Sequence, residues 1–160
     1  MSDRTTDNAG SGISAHTEDA ETPVKSVWGM VEEIKADLEN LSPAQVAAEL
    51  EAGTAVVVDI RDIRELILKG KIPGAFHAPR GNLEFWIDPR SSYYRDIFRP
   101  DGRYILYCAG GGRSAFAART MKEMGISDVA HLEPGFGGWV EAGLPVEEVA
   151  SKSKWGLKPT

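Results

Sequence analysis

Three short, largely apolar runs stand out along the chain: A-V-V-V-D-I at 55–60, Y-I-L-Y at 104–107 and V-A-H-L at 129–132. Rich in β-branched and aromatic residues and lacking strict alternation, they fit strands covered on both faces. Between the last two, residues 114–124 put Ala117, Met121 and Met124 on one stripe, and Gly125 follows as a stop. Strand, helix and strand at this spacing predict a right-handed parallel crossover. Upstream, residues 27–38 place Val27, Met30 or Val31, Ile34 and Leu38 at helical spacing, with Gly29 weakening the start. Ser42-Pro43 reads as a cap residue followed by proline at the first helical position, opening a helix to Leu50 that Gly53 can end. The fold class that follows is α/β: a mostly parallel central sheet with helices on both faces.

Outside this pattern the chain changes character. Residues 1–26 are dominated by Ser, Thr, Asp, Glu, Gly and Ala, too poor in apolar side chains to offset the entropy of ordering, so a disordered acidic tail is expected. Residues 149–160, with three lysines and Pro159, read as a second tail, with Trp155 a candidate for docking. That leaves one domain at 27–148, in keeping with 160 residues of which 42% are hydrophobic. A net charge of -6 argues against nucleic acid or an anionic membrane as partner, since both favour a basic surface. No apolar run is long enough to suggest a membrane span, and the N-terminus lacks the cationic and apolar regions of a secretory signal. A cytoplasmic location is expected, and the single cysteine fits a reducing compartment.

That cysteine is the candidate for chemistry. Cys108 follows the 104–107 strand and leads into C-A-G-G-G-R-S, immediately before the predicted helix. Ligands of open parallel sheets collect at the carboxyl ends of the strands. Three glycines in a row allow the backbone to curl until several N–H groups point inward, and the helix start adds unpaired N–H groups. A sulfur at the rim of such a cradle is favoured as the thiolate, the nucleophilic form. Free cysteine is more often a small buried hydrophobe. Three adjacent glycines are costly to order, however, and make sense where the backbone must take an unusual path. A Cys loop that closes on an arginine suits phosphate-ester hydrolysis or sulfur transfer.

Four residues separate Cys108 from Arg113, and in this the segment resembles the active-site loop of rhodanese-type sulfurtransferases. Cys-dependent phosphatases and arsenate reductases carry a loop one residue longer. Val58-Asp59-Ile60-Arg61, then Glu65, then Gly70-Lys71-Ile72-Pro73-Gly74-Ala75 is similar to the family's upstream signature. Leu132-Glu133-Pro134-Gly135-Phe136-Gly137-Gly138-Trp139, followed by Gly143-Leu144-Pro145-Val146, is similar to its closing segment. Lys71 stands where the family usually has histidine, and the stretch from Arg61 to Gly70 is one residue longer than usual. Against a minimal domain of this kind, 27–40 is an extra N-terminal helix and 81–102 an insertion, expected to form a flap or wall near the site.

The resemblance implies a sulfurtransferase that moves a sulfane sulfur from a donor such as thiosulfate to cyanide or a thiol through a Cys108 persulfide. The persulfide would be cradled by Ala109, Gly110, Gly111, Gly112, Arg113 and Ser114, and the acceptor thiol could belong to a small molecule or a protein. It implies no cofactor and no metal, and three scattered histidines with one cysteine make a poor zinc set. Asp59, Arg61 and Glu65 read as supports, although Asp59 is by type also a candidate base. Arg113 either contacts substrate or braces the loop through Glu65. Ser114 reads as the helix cap with a hydroxyl facing the sulfur. His77 and Arg80 are candidates for the pocket mouth or for a solvated loop, and Trp86 for the pocket wall or the core. The alternative reading is a non-enzymatic binding module or a protein-to-protein sulfur relay on the same fold.

Overall fold

The computed structural model describes residues 22–150. The tails expected at 1–26 and 149–160, with Trp155, lie almost wholly outside them. The three apolar runs are strands: β2 (Val56–Asp59), β4 (Tyr104–Tyr107) and β5 (Val129–Leu132). Two shorter strands, β1 (Glu39–Leu41) and β3 (Phe76–His77), complete a sheet of order β1-β5-β4-β2-β3 in which every neighbouring pair is parallel. The helices are α1 (Val27–Ala36), α2 (Pro43–Ala52), α3 (Ile63–Lys69), α4 (Leu83–Ile87), α5 (Gly112–Glu123) and α6 (Gly135–Glu141).

Side-chain alternation divides the core in two. Tyr104, Leu106 and Cys108 point to the face where α1, α4 and α5 pack, through Val31, Ile34, Leu83, Ile87, Ala118 and Met121. Ile105 and Tyr107 point to the other face, against Val46 of α2 and Phe136 and Trp139 of α6. The helix α2 forms as its sequence predicts. Ser42 and Gln45 make a reciprocal capping box, Pro43 opens the first turn, and Gly53 closes the helix at φ 66°.

Two expectations need correction. The helix expected over 27–40 stops at Ala36, because the Asn40 amide donates to the carbonyls of Lys35 and Leu38 and the chain turns into β1 beside β5. The 81–102 segment is packed into the domain, and its second half lies away from Cys108. Leu83, Ile87 and Phe98 are core residues, and the Tyr104 hydroxyl donates to Ile97 O and accepts from the Arg99 N–H. These bonds pin the segment's second half to the amino end of β4, whereas Cys108 follows its carboxyl end. No helix among the described residues is long and apolar enough to cross a membrane.

Candidate active site

Strand β4 delivers Cys108 to the carboxyl edge of the sheet, and the loop then wraps its sulfur. Gly111 takes φ 97°, and a Cβ there would run into the Glu133 carbonyl, so only glycine fits. That turn aims the Gly111 N–H at Cys108 Sγ, 3.2 Å away. The closing segment holds the loop from behind. Phe136 N–H and Gly137 N–H, at the start of α6, donate to the carbonyls of Cys108 and Ala109 at 2.8 and 3.1 Å. Gly135, at φ 66°, leaves no room for a side chain against Ala109. Burial pushes the Cys108 thiol up, but the Ser114 hydroxyl and the N–H groups of Ser114, Gly110 and Gly111 more than offset it, and its pKa lies below the ordinary thiol value.

Ser114 is not the helix cap. The helix α5 starts at Gly112 with no side-chain cap, and Ser114, fully buried in its first turn, turns its hydroxyl inward. Its Oγ lies 3.6 Å from Cys108 Sγ and 2.9 Å from His131 Nδ1. His131, fully buried in β5, sets its Nε2 2.7 Å from Asn40 Oδ1 on the adjacent strand, where the two residues are register partners. The pairing of His131 with Asn40 was not read from the sequence. Its one local sign is a polar residue inside a strand covered on both faces, which must find a partner.

Asp59 and Arg61 form a closed unit at the end of β2. Arg61 Nε and Nη2 reach the Asp59 carboxylate at 3.0 and 2.8 Å, and Nη2 also donates to Gly70 O at 2.8 Å. The Tyr107 hydroxyl donates to Asp59 and accepts from the Ile72 N–H, and the guanidinium lies 4.2 Å from the Phe136 ring centroid. With its carboxylate so occupied, Asp59 is a brace and not a base. Glu65 closes the capping box of α3 with Asp62 and takes Arg113 in a two-pronged pair, both bonds 2.9 Å. Arg113 is thus tied to Glu65 while also facing the Cys108 sulfur. The bond from Arg113 holds the Glu65 carboxyl below its usual range, and Glu65 first, then charge on Cys108, raises Arg113.

None of the other candidates hydrogen-bonds to the Cys108 loop through its side chain. His77 Nε2 lies 2.7 Å from Arg61 O, at the same sheet edge as Cys108 but tied to the Asp59–Arg61 unit. Arg80 bonds Glu84 and Thr120, and Trp86 packs edge-on to Phe76 beneath Arg95, so both belong to the flank built by α4. Lys71 donates to Ala75 O and pairs with Glu147. Beside Gly110 an open cleft of about 640 Å³ is lined by Lys35, Asn40, Ser42, Gln45, Glu133 and Pro134. Among the described residues no three His, Cys, Asp or Glu side chains are grouped to hold a metal ion.

An open parallel sheet with a glycine-rich cysteine loop at its carboxyl edge defines a class of proteins that hold a thiol in a backbone cradle. The rhodanese-like domain model matches residues 42–142, and the chain belongs to that family. It is 35% identical over 104 residues to the thiosulfate sulfurtransferase GlpE of Ectopseudomonas mendocina, covering 65% of this chain and 86% of that protein. It is 36% identical over 83 residues to YrkF of Bacillus subtilis, named a candidate sulfur carrier protein, covering 52% of this chain but only 40% of YrkF. Among solved structures, a Rhodopseudomonas palustris protein of unknown function, described as a possible tyrosine phosphatase, is 47% identical with a TM-score of 0.74, covering 79% and 98% of the two chains.

Proposed function

We propose that this protein transfers sulfane sulfur through a persulfide on Cys108. The observation that carries this reading is the cradle itself: a buried sulfur faced by the N–H groups of Gly110, Gly111 and Ser114, with Arg113 drawn to Glu65. Neutral backbone donors on a loop of four residues suit a single terminal sulfur. A tetrahedral phosphate asks for a longer loop and a guanidinium free to fork onto its oxygens.

In the first half-reaction the Cys108 thiolate attacks the outer sulfur of a donor such as thiosulfate. The new S–S bond forms as the old one breaks, and sulfite leaves with the electron pair. The negative terminal sulfur then rests on the loop N–H groups. In the second, cyanide or a thiolate attacks that sulfur, and Cys108 recovers its thiolate as leaving group. A covalent intermediate between two half-reactions predicts ping-pong kinetics. The chemistry calls on no metal and no organic cofactor, and it suits a reducing, cytoplasmic setting.

A second reading keeps the persulfide but hands it only to a protein thiol. The names of YrkF and the loop's lack of a free side-chain cation favour it. Mass spectrometry decides. Under the first reading, thiosulfate adds one sulfur mass to Cys108, and cyanide removes it with release of thiocyanate. Absence of an adduct with thiosulfate or polysulfide would remove the small-donor reaction. Cys108-dependent turnover of an aryl phosphate would replace it with the phosphatase that the Rhodopseudomonas relative's description suggests.

A further inference from the structure

We propose that His131, acting through the Ser114 hydroxyl, receives the thiol proton of Cys108. Both donors of the Asn40 amide are used, on Lys35 O at 3.0 Å and Leu38 O at 2.9 Å, so Asn40 can present only Oδ1 to His131. Nε2 of His131 therefore carries a proton and donates it, which leaves Nδ1 in the neutral ring as a lone pair. Ser114 must then donate its single proton to Nδ1, and it meets Cys108 with a lone pair. The thiol points its own proton at Ser114 Oγ. Each polarity in the line follows from the Asn40 amide, whose two donors are already committed.

Such a line can run in reverse without losing a bond. The thiol proton passes to Ser114 Oγ as the Ser114 proton passes to His131 Nδ1. The products are a thiolate accepting from Ser114 O–H, a hydroxyl accepting from imidazolium Nδ1–H, and Nε2–H still on Asn40. One proton has moved from sulfur to nitrogen, and no bond other than S–H, O–H and N–H has changed. Cys108, Ser114 and His131 are all 1% exposed or less, and the imidazole is the base that the thiol reaches through one hydroxyl. The groups facing His131 are Lys35 from α1, Glu133 beyond β5, Asn40 from β1 and Ser114 from α5. Burial opposes the imidazolium most, Lys35 adds to that, and Glu133 favours it. His131 touches no substrate and is a positioning residue that holds a proton.

The inference rests on Cys108 being the reactive thiol, but its test needs no sulfur donor. Cys108 is the only cysteine, so iodoacetamide reports its thiolate alone. Two sites sharing one proton titrate as a pair. In the unaltered protein the alkylation rate should therefore rise with pH in two steps, the lower one reporting the imidazolium–thiolate form. His131→Gln and Ser114→Ala should each abolish the lower step and slow alkylation below the upper step by about tenfold. A single step in the unaltered protein, or a profile that His131→Gln leaves unchanged or speeds up, would overturn the proposal. Should the His131 variant fail to fold, histidine ¹⁵N spectra of the unaltered protein and of Cys108→Ser give the same answer. His131 keeps its proton to higher pH when the thiolate partner is present, and equal titration in both overturns the idea. If thiosulfate fails to load sulfur while the two steps persist, the sulfur-transfer reading falls and the proton path stands.

Discussion

Strands β2 and β4 lie side by side and both end in buried polar chemistry, yet the two ends behave as opposites. Behind β2, Asp59 and Arg61 are 1% exposed or less, and their charges close on each other, on Tyr107, on Gly70 O and on the Phe136 ring. The members hold one arrangement, because shifting any proton or rotamer would strand a charge. Behind β4, Cys108 is as deeply buried, but its partners are N–H groups, a hydroxyl and, beyond it, an imidazole. These keep their bonds whichever end holds the proton. Burial thus fixes one end, whereas at the other, on the proton path proposed above, the hydrogen-bond polarity can reverse, and that separates them.

The sharpest way to break this contrast is at the sulfur. Cys108→Ser should abolish sulfur uptake from thiosulfate, read by intact mass, while moving the urea unfolding free energy by no more than about 1 kcal/mol. Arg61→Met should do the reverse. An unpaired Asp59 in the interior costs about 3–5 kcal/mol, read as a fall in the urea midpoint at unchanged slope. Whatever fraction remains folded should still load sulfur on Cys108. If Arg61→Met left stability intact and removed sulfur loading, the brace would be part of the reactive site and the comparison would collapse.

These two ends were unequally legible in the sequence. The cradle could be read because its parts are contiguous: strand, Cys108, glycines and Arg113 follow one another, and the spacing to Arg113 is what carries the resemblance to rhodanese loops. Asp59 and Arg61 could be read as a pair for the same reason. The pairing of His131 with Asn40 could not, since it depends on β1, a three-residue edge strand with only Leu41 buried and no apolar run to announce it. Residues 39–40 instead continue the pattern of a helix, until the Asn40 amide stops it. Arg80 and Trp86 stayed open between pocket and packing for a related reason. Charged and aromatic residues after a turn look alike at a pocket mouth and on a flank, and the anchoring of 81–102 through Phe98 and Tyr104 is long-range.

A pH scan sharpens the contrast next. Burial first, and Lys35 second, lower the His131 pKa to about 4 from its ordinary 6.5. Between those values the unfolded chain binds a proton that the folded chain does not, so stability rises with pH across the window. It is complete above about pH 6.5 and is lost as pH falls toward 4, amounting to about 3 kcal/mol. In His131→Gln that slope should flatten, leaving the carboxylate contribution at lower pH. An unaltered slope in urea titrations between pH 6.5 and 4 would show that the slope does not come from His131.

The smallest effect tests the seam between the two ends, where Glu65 of α3 holds Arg113 of the loop. The pair is geometrically good, with two bonds of 2.9 Å, but the arginine side chain is 46% exposed, so solvent screens it. Glu65→Gln should therefore cost no more than about 1 kcal/mol. It keeps the shape and leaves Arg113 with a weaker tether, so the guanidinium spends more time near the negative sulfur. Alkylation of Cys108 below its thiol pKa should speed up by a few-fold, since a nearby cation favours the thiolate. Sulfur loading should persist, because the N–H groups that hold the terminal sulfur do not depend on Arg113. A complete loss of loading in Glu65→Gln would mean that the brace positions the cradle itself, and that the rigid region extends across α3 to the loop.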